Sequence, residues 1–144
     1  MAIAELTTNQ KGLIGEAAVM LDLSIRGYIT FKPTCDYSPV DLVVSNKNLS
    51  LRKIQIKYRK AIKGLISVPL NSVVNGVKVN INLELIDGWA IYCPDTSKVY
   101  YISKNTAPKY RTLRVFDFKY GKTRVDASRF EDPEILFYGG INGE

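Results

Sequence analysis

The sequence predicts an α/β (α+β) fold: one mixed sheet, an N-terminal helix and a β-hairpin. Three observations predict it. Apolar residues recur clearly at helical spacing near the start, and the pattern beyond residue 27 breaks into short alternating segments. The resulting order is one helix, strands, more strands and a small helix, with no linker and no internal repeat. The 144 residues are one domain's length, so 1–144 is expected to form a single domain.

Thr7 followed three residues later by Gln10 is a capping-box start, and Gly27 is a suitable stop. Between them Leu13, Ala17, Met20, Leu21 and Ser24 recur at helical spacing. Gly12 and Gly15 are costly in a helix unless something approaches closely there. Tyr28–Phe31 reads as a first strand, Lys32–Pro39 as loop, Val40–Ser45 as a second strand and Asn46–Ser50 as a turn. The clearest strand is Lys53–Arg59, where Ile54, Ile56 and Tyr58 alternate with Lys53, Gln55, Lys57 and Arg59. Asn75-Gly76 predicts a two-residue hairpin turn. Trp89–Tyr92 and Lys98–Ile102 are strands around the turn Cys93–Ser97, Arg111–Phe118 is a further strand, and Asp126–Asp132 a short helix.

Composition narrows the chemistry. There is no histidine, which excludes Ser-His and Cys-His nucleophile pairs, imidazole zinc sites and histidine general bases. Cys35 and Cys93 have no metal-site spacing and are expected to be buried thiols in a reducing cytoplasm. No apolar run is long enough to span a membrane, and Met1–Glu5 has no basic stretch followed by an apolar one, so secretion is not expected.

Net charge is +6, and its placement is informative. Between Asp41 and Glu84 there is no acid, only Lys47, Arg52, Lys53, Lys57, Arg59, Lys60, Lys63 and Lys78. A second basic run, Lys104, Lys109, Arg111, Arg114, Lys119, Lys122 and Arg124, is interrupted by Asp117 alone. Such clustering is the electrostatic footprint of phosphate binding.

Four polar residues then fall into a pattern: Glu16 in the helix, Asp41 at the head of the second strand, Gln55 and Lys57 on the third. Alternation projects Gln55 and Lys57 to one side. A hairpin across Asn46–Ser50 would bring Asp41 beside that face.

Pro39-Val40-Asp41 followed by Gln55-Ile56-Lys57 resembles the PD-(D/E)XK nuclease signature, with Gln in place of the middle acid. Glu16, within Lys11–Val19, is similar to the extra helix acid that many of these nucleases carry. The resemblance runs from Lys11 to about Tyr101 and includes Trp89–Pro94 and Val99–Tyr101. Within the superfamily the chain is most similar to a small homing endonuclease encoded by a bacterial group I intron in a transfer-RNA gene, a relative that also carries Gln. The resemblance implies a restriction-endonuclease-like core and a bacterial, cytoplasmic, Mg²⁺-dependent DNA endonuclease, with Mn²⁺ as a substitute ion. It further implies double-strand cleavage by a homo-oligomer, a dimer or tetramer. Catalysis would fall to Glu16, Asp41, Gln55 and Lys57. The metal would be held by Asp41, Glu16, the Gln55 carbonyl oxygen and the main-chain carbonyl of Ile56. Lys57 is left with three roles: orienting water, stabilising charge, or releasing a proton.

The hairpin is the expected sequence reader. A two-residue turn pairs Val74 with Val77, Val73 with Lys78, Ser72 with Val79, Asn71 with Asn80, and Pro69 with Asn82. Asn71, Val73, Lys78, Asn80 and Asn82 then share one face, a set suited to base edges in the major groove. Arg59, Lys60, Arg111 and Arg114 are expected on the DNA backbone. Two alternatives stay open: a Holliday-junction resolvase-like nuclease, and a catalytically inert DNA-binding relative. An RNA-binding scaffold fits the charge but leaves the four-residue set unexplained.

Overall fold

The computed structural model describes residues 4–35, 39–69, 71–74, 76–80, 83–116 and 124–138, with backbone only at 71–74 and 78–80. Helix α1 (Thr8–Ile25) starts as the sequence predicts. Thr7 Oγ1 accepts from the Gln10 backbone N–H, and the Gln10 side chain accepts from the Thr7 N–H. It ends at Arg26, followed by Gly27 at φ +87°, a left-handed position that suits glycine.

Strands β1 (Ile29–Phe31), β2 (Leu42–Ser45), β3 (Leu51–Tyr58), β7 (Gly88–Cys93) and β8 (Lys98–Ser103) form the main sheet in the order β1-β2-β3-β7-β8. All its neighbours are antiparallel except β3 and β7, which run parallel. The β2–β3 turn is held by Asn46, whose side-chain oxygen accepts from the N–H groups of Asn48 and Ser50, each at 3.0 Å. At Gly88 a Cβ would lie 2.5 Å from the Ile102 carbonyl oxygen, so only glycine lets β7 approach β8 there.

Between β3 and β7 the chain forms β4 (Leu65–Ser67) and the ribbon β5 (Asn71–Val74) and β6 (Val77–Asn80). Strand β4 pairs with β9 (Thr112–Arg114), which pairs with β10 (Val125–Asp126) in a second, three-stranded sheet. A 3₁₀ turn, Ala127–Phe130, and helix α2 (Ile135–Tyr138) follow.

The main sheet is buried on both faces. On one, Val19 and Leu23 of α1 pack with Leu42, Val44, Ile54, Ile56, Ala90 and Tyr101. On the other, Trp89, Ile91 and Ile102 pack with Ile66, Leu113 and Phe130. Tyr101, itself fully buried, donates its hydroxyl to Asp22 Oδ2 at 2.5 Å and ties α1 to β8. Burial and that carboxylate together push the Tyr101 hydroxyl well above the ordinary tyrosine range.

At five points the structure adds to or corrects the sequence reading. The buried face of α1 is Gly15, Val19 and Leu23, whereas Leu13 and Leu21 are 67% and 61% exposed. Both sides of this helix are apolar, so periodicity alone could not choose the inner one. Gly15 does sit under β3, with Tyr58 Cβ 3.6 Å from a Cβ placed there, but Gly12 meets nothing within 4 Å. Val68, just before the ribbon, belongs to the core: its N–H donates to the Arg111 carbonyl at 2.9 Å and its side chain is buried there. The short helix at Asp126–Asp132 is a 3₁₀ turn capped by Asp126, with α2 beyond it. Cys93 is buried as expected, but Cys35 is exposed in the loop after β1.

Candidate active site

Asp41 lies one residue before β2, where the chain still tracks β3. Its N–H donates to the Ile54 carbonyl at 2.9 Å, and its Oδ2 accepts from the Ile56 N–H at 2.7 Å. The carboxylate is thereby fixed on the backbone between Gln55 and Lys57. Hydrogen bonds from backbone N–H groups to an ionised carboxylate are among the stronger ones in proteins.

Lys57 is half-buried and interacts electrostatically with both Asp41 and Arg59. Burial pushes its ammonium below the ordinary lysine value. The Arg59 guanidinium adds to that, and the Asp41 carboxylate works against it. Arg59 is lowered by burial alone. Its N–H donates to the Tyr92 carbonyl at 2.9 Å, which fixes the chain just past β3. The sequence assigned Arg59 to the DNA backbone; the structure sets it beside the candidate catalytic lysine.

Gln55 is 7% exposed, and its Oε1 accepts from the Trp89 indole Nε1 at 3.2 Å. The two residues are register partners across the parallel pair β3–β7. The oxygen expected on a metal ion is therefore already engaged by an indole. Trp89 was read from the sequence as the start of a strand within the family resemblance, with no contact assigned to it. Its contact depends on β3 pairing with β7, which no local pattern reveals.

Glu16 is on α1, where its Oε2 pairs with Lys32 Nζ at 3.0 Å. Asp41, Gln55, the Ile56 peptide, Lys57 and Arg59 thus come together along β3, while the described contact of Glu16 is with the loop after β1. Among the described residues no group of three or more His, Cys, Asp or Glu is gathered. A hard ion such as Mg²⁺ does not require one, because it is held by one or two carboxylates, waters and substrate phosphates. The Asp41 carboxylate and main-chain oxygen, without nitrogen or sulfur ligands, fit that chemistry.

The ribbon has the register its sequence predicts: Asn71 opposite Asn80, Ser72 opposite Val79, Val73 opposite Lys78, Val74 opposite Val77. Gly76 has φ +78°, as a tight turn of this kind requires. Asn75 and Asn82 lie outside the described residues, as does the end of the strand expected to reach Phe118. Lys60 and Arg111 are exposed, and Arg114 pairs with Asp126 at 3.2 Å. Arg111 also lines a cleft of about 330 Å³ with Lys109, Arg124 and Arg129. Among the described residues no acid contributes to that lining, and the sequence had singled out only Arg111 of the four as a DNA contact.

Comparison with known proteins bears on the family and the fold. The model of the PD-(D/E)XK endonuclease family matches residues 6–132. The solved structure of a bacterial homing endonuclease, I-Ssp6803I, superposes with a TM-score of 0.69 at 17% identity, over 92% of this chain and 93% of that one. The likeness extends to the restriction-endonuclease-like core and its mixed sheet. No curated protein matches the sequence.

Proposed function

The chain belongs to the PD-(D/E)XK endonuclease family, and from that premise we propose a site-specific, Mg²⁺-dependent DNA endonuclease of the homing type that makes a double-strand break. The observation that carries the reading is the Asp41 carboxylate, held by the Ile56 N–H and interacting electrostatically with Lys57, at positions that resemble the family's motif. Likeness to a homing endonuclease supports the type of substrate.

Asp41, with Glu16 and the Ile56 carbonyl, would hold the ion, and Mn²⁺ would replace Mg²⁺. When bound, such an ion polarises the phosphate and activates water. The chain's own residues do the rest. Lys57 and Arg59 meet the scissile phosphate, and Lys57 orients the attacking water or stabilises the charge that develops. Lys60, Arg111 and Arg114 take backbone phosphates. Asn71, Val73, Lys78, Asn80 and Asn82 read base edges. The ribbon supports a reader of linear sequence over a junction resolvase, whose substrate is recognised by shape. Its target lies in the bacterial cytoplasm. Among the described residues no helix is long and apolar enough to cross a membrane.

One catalytic set serves one strand, so cutting both calls for a second copy. Leu13, Ala17, Leu21 and Ile25 form an exposed row along α1, opposite its buried face. Residues four apart make a ridge that packs against an equivalent ridge, which suits a two-fold dimer.

The test is incubation with Mg²⁺, Mn²⁺ or chelator and linear, four-way-junction or random-library DNA. Metal-dependent cutting of a linear site is the expected result. Preferred cutting of the junction would favour the resolvase, and binding without cutting an inert relative.

A further inference from the structure

We infer that Gln55 meets the scissile phosphate as a hydrogen-bond donor, oriented for that task by Trp89, rather than meeting the metal ion as an acceptor. The inference rests on the nuclease reading above and deepens it.

An indole N–H can only donate. The Gln55 atom 3.2 Å from it is therefore the carbonyl oxygen, whichever way the amide is drawn. Strand β7, which carries Trp89, flanks β3 on one side, and β2, which Asp41 precedes, flanks it on the other. An amide oxygen turned towards β7 sends the NH₂ group away from β7. Among the described residues no hydrogen bond from that NH₂ group to the protein is formed, although Gln55 is 7% exposed. Nor is the nitrogen one of the sealed, unpartnered atoms of the interior, so it borders solvent. A side chain this buried that keeps two N–H donors unanswered is poised for an acceptor that arrives with the substrate.

Its neighbours suit the same acceptor. Gln55 and Lys57 share a face of β3, and Arg59 follows two positions on. All three end in N–H donors. A metal ion needs lone pairs, which an amide nitrogen does not offer; a non-bridging phosphate oxygen needs donors. The labour is thus divided, with carboxylate oxygens for the ion and nitrogen donors for the phosphate. Trp89 is a positioning residue, acting through Gln55.

The experiment uses the chain's one tryptophan, whose indole N–H gives a single resolved resonance. ¹⁵N-labelled protein is titrated with a short random-sequence duplex in chelator, and separately with Mg²⁺ without DNA. The duplex should shift the Gln55 NH₂ resonances and leave the indole resonance in place; Mg²⁺ alone should move neither. Gln55→Met should weaken duplex binding in chelator roughly tenfold, the loss expected for one charge-assisted contact, with Mg²⁺ affinity by calorimetry unchanged. Gln55→Glu should weaken duplex binding and raise Mg²⁺ affinity. Trp89→Phe, where it folds, should lower kcat with little change in KM. Gln55 resonances that respond to Mg²⁺ but not to duplex, or a Gln55→Met variant that loses only Mg²⁺ affinity, would overturn the inference. Failure of the parent to cut any DNA, with the Gln55 shifts intact, would sink the nuclease reading alone.

Discussion

Asp41 accepts the amide proton of Ile56 at 2.7 Å, so the strand that carries Gln55 and Lys57 also fixes the carboxylate beside them. One oxygen of Asp41 is thereby a structural group as well as a candidate ligand. The two roles can be separated by substitution. Asp41→Asn keeps an acceptor for Ile56 but loses the charge, whereas Asp41→Ala loses both. Both variants should cut DNA at least about 100-fold more slowly. Only Asp41→Ala should also be destabilised, by about 1–3 kcal/mol for an unanswered buried N–H. Cleavage assays beside thermal melts check this.

Lys57 gives a pH prediction. Its folded-state pKa is depressed, chiefly by burial and next by Arg59. Between that value and the ordinary lysine value the unfolded chain binds more protons than the folded one. The Lys57 contribution to stability therefore becomes more favourable as pH rises through this window. At neutral pH the buried cation opposes folding, so Lys57→Met should raise the melting temperature while cutting falls about 100-fold or more. Melting curves from pH 7 to 10 should converge for parent and variant. A variant less stable than the parent at neutral pH would contradict the assignment.

Affinity for DNA should fall steeply with salt. Removing Lys60 should weaken all sequences alike and reduce the slope of log K against log salt by about 0.9, one phosphate's worth. Arg111→Ala should behave the same way. Binding isotherms at several salt concentrations give the slopes.

Replacing Asn71, Lys78 or Asn80 by Ala should cost about 1–3 kcal/mol on the cognate site. The same changes should cost little on random DNA, where phosphate contacts supply the affinity. Competition binding against linear libraries and a four-way junction separates the cases. Equal losses on cognate and random DNA would remove the ribbon from sequence reading.

Leu21→Glu and Ile25→Glu place charges on the exposed row of α1 and touch neither the sheet core nor β3. Both variants should remain folded, sediment as monomers and nick one strand rather than linearise a plasmid. Variants that still assemble would place the contact between copies elsewhere.

Much of this was legible in the sequence, for identifiable reasons. Capping at Thr7 and Gln10, the β2–β3 turn and the Asn75-Gly76 register are local, and local chemistry decides them. The motif order put Asp41, at the entry to β2, beside Gln55 and Lys57 on β3, because an antiparallel neighbour with a short turn brings them there. What sequence could not supply is non-local. The β3–β7 pairing sets Trp89 against Gln55, and the β4–β9 pairing draws Val68 into the core. Helical spacing did not choose the inner face of α1, because Leu13 and Leu21 are as apolar as Val19 and Leu23. Only the sheet beneath chooses between them.

The parallel step from β3 to β7 has a consequence for retargeting. The returning chain is stapled at both ends. Arg59 bonds to Tyr92 at one, while Asp87 N–H donates to the Lys53 carbonyl at 2.7 Å and Asp87 Oδ2 accepts from Lys53 N–H at 2.8 Å at the other. The ribbon sits between these staples, like a cassette between two fixed connectors. Closing a longer loop costs only slowly more as residues are added. On the function proposed, ribbons of different length or lettering would be exchangeable there while Asp41, Gln55 and Lys57 keep their places, and a new target site would need no new catalytic centre.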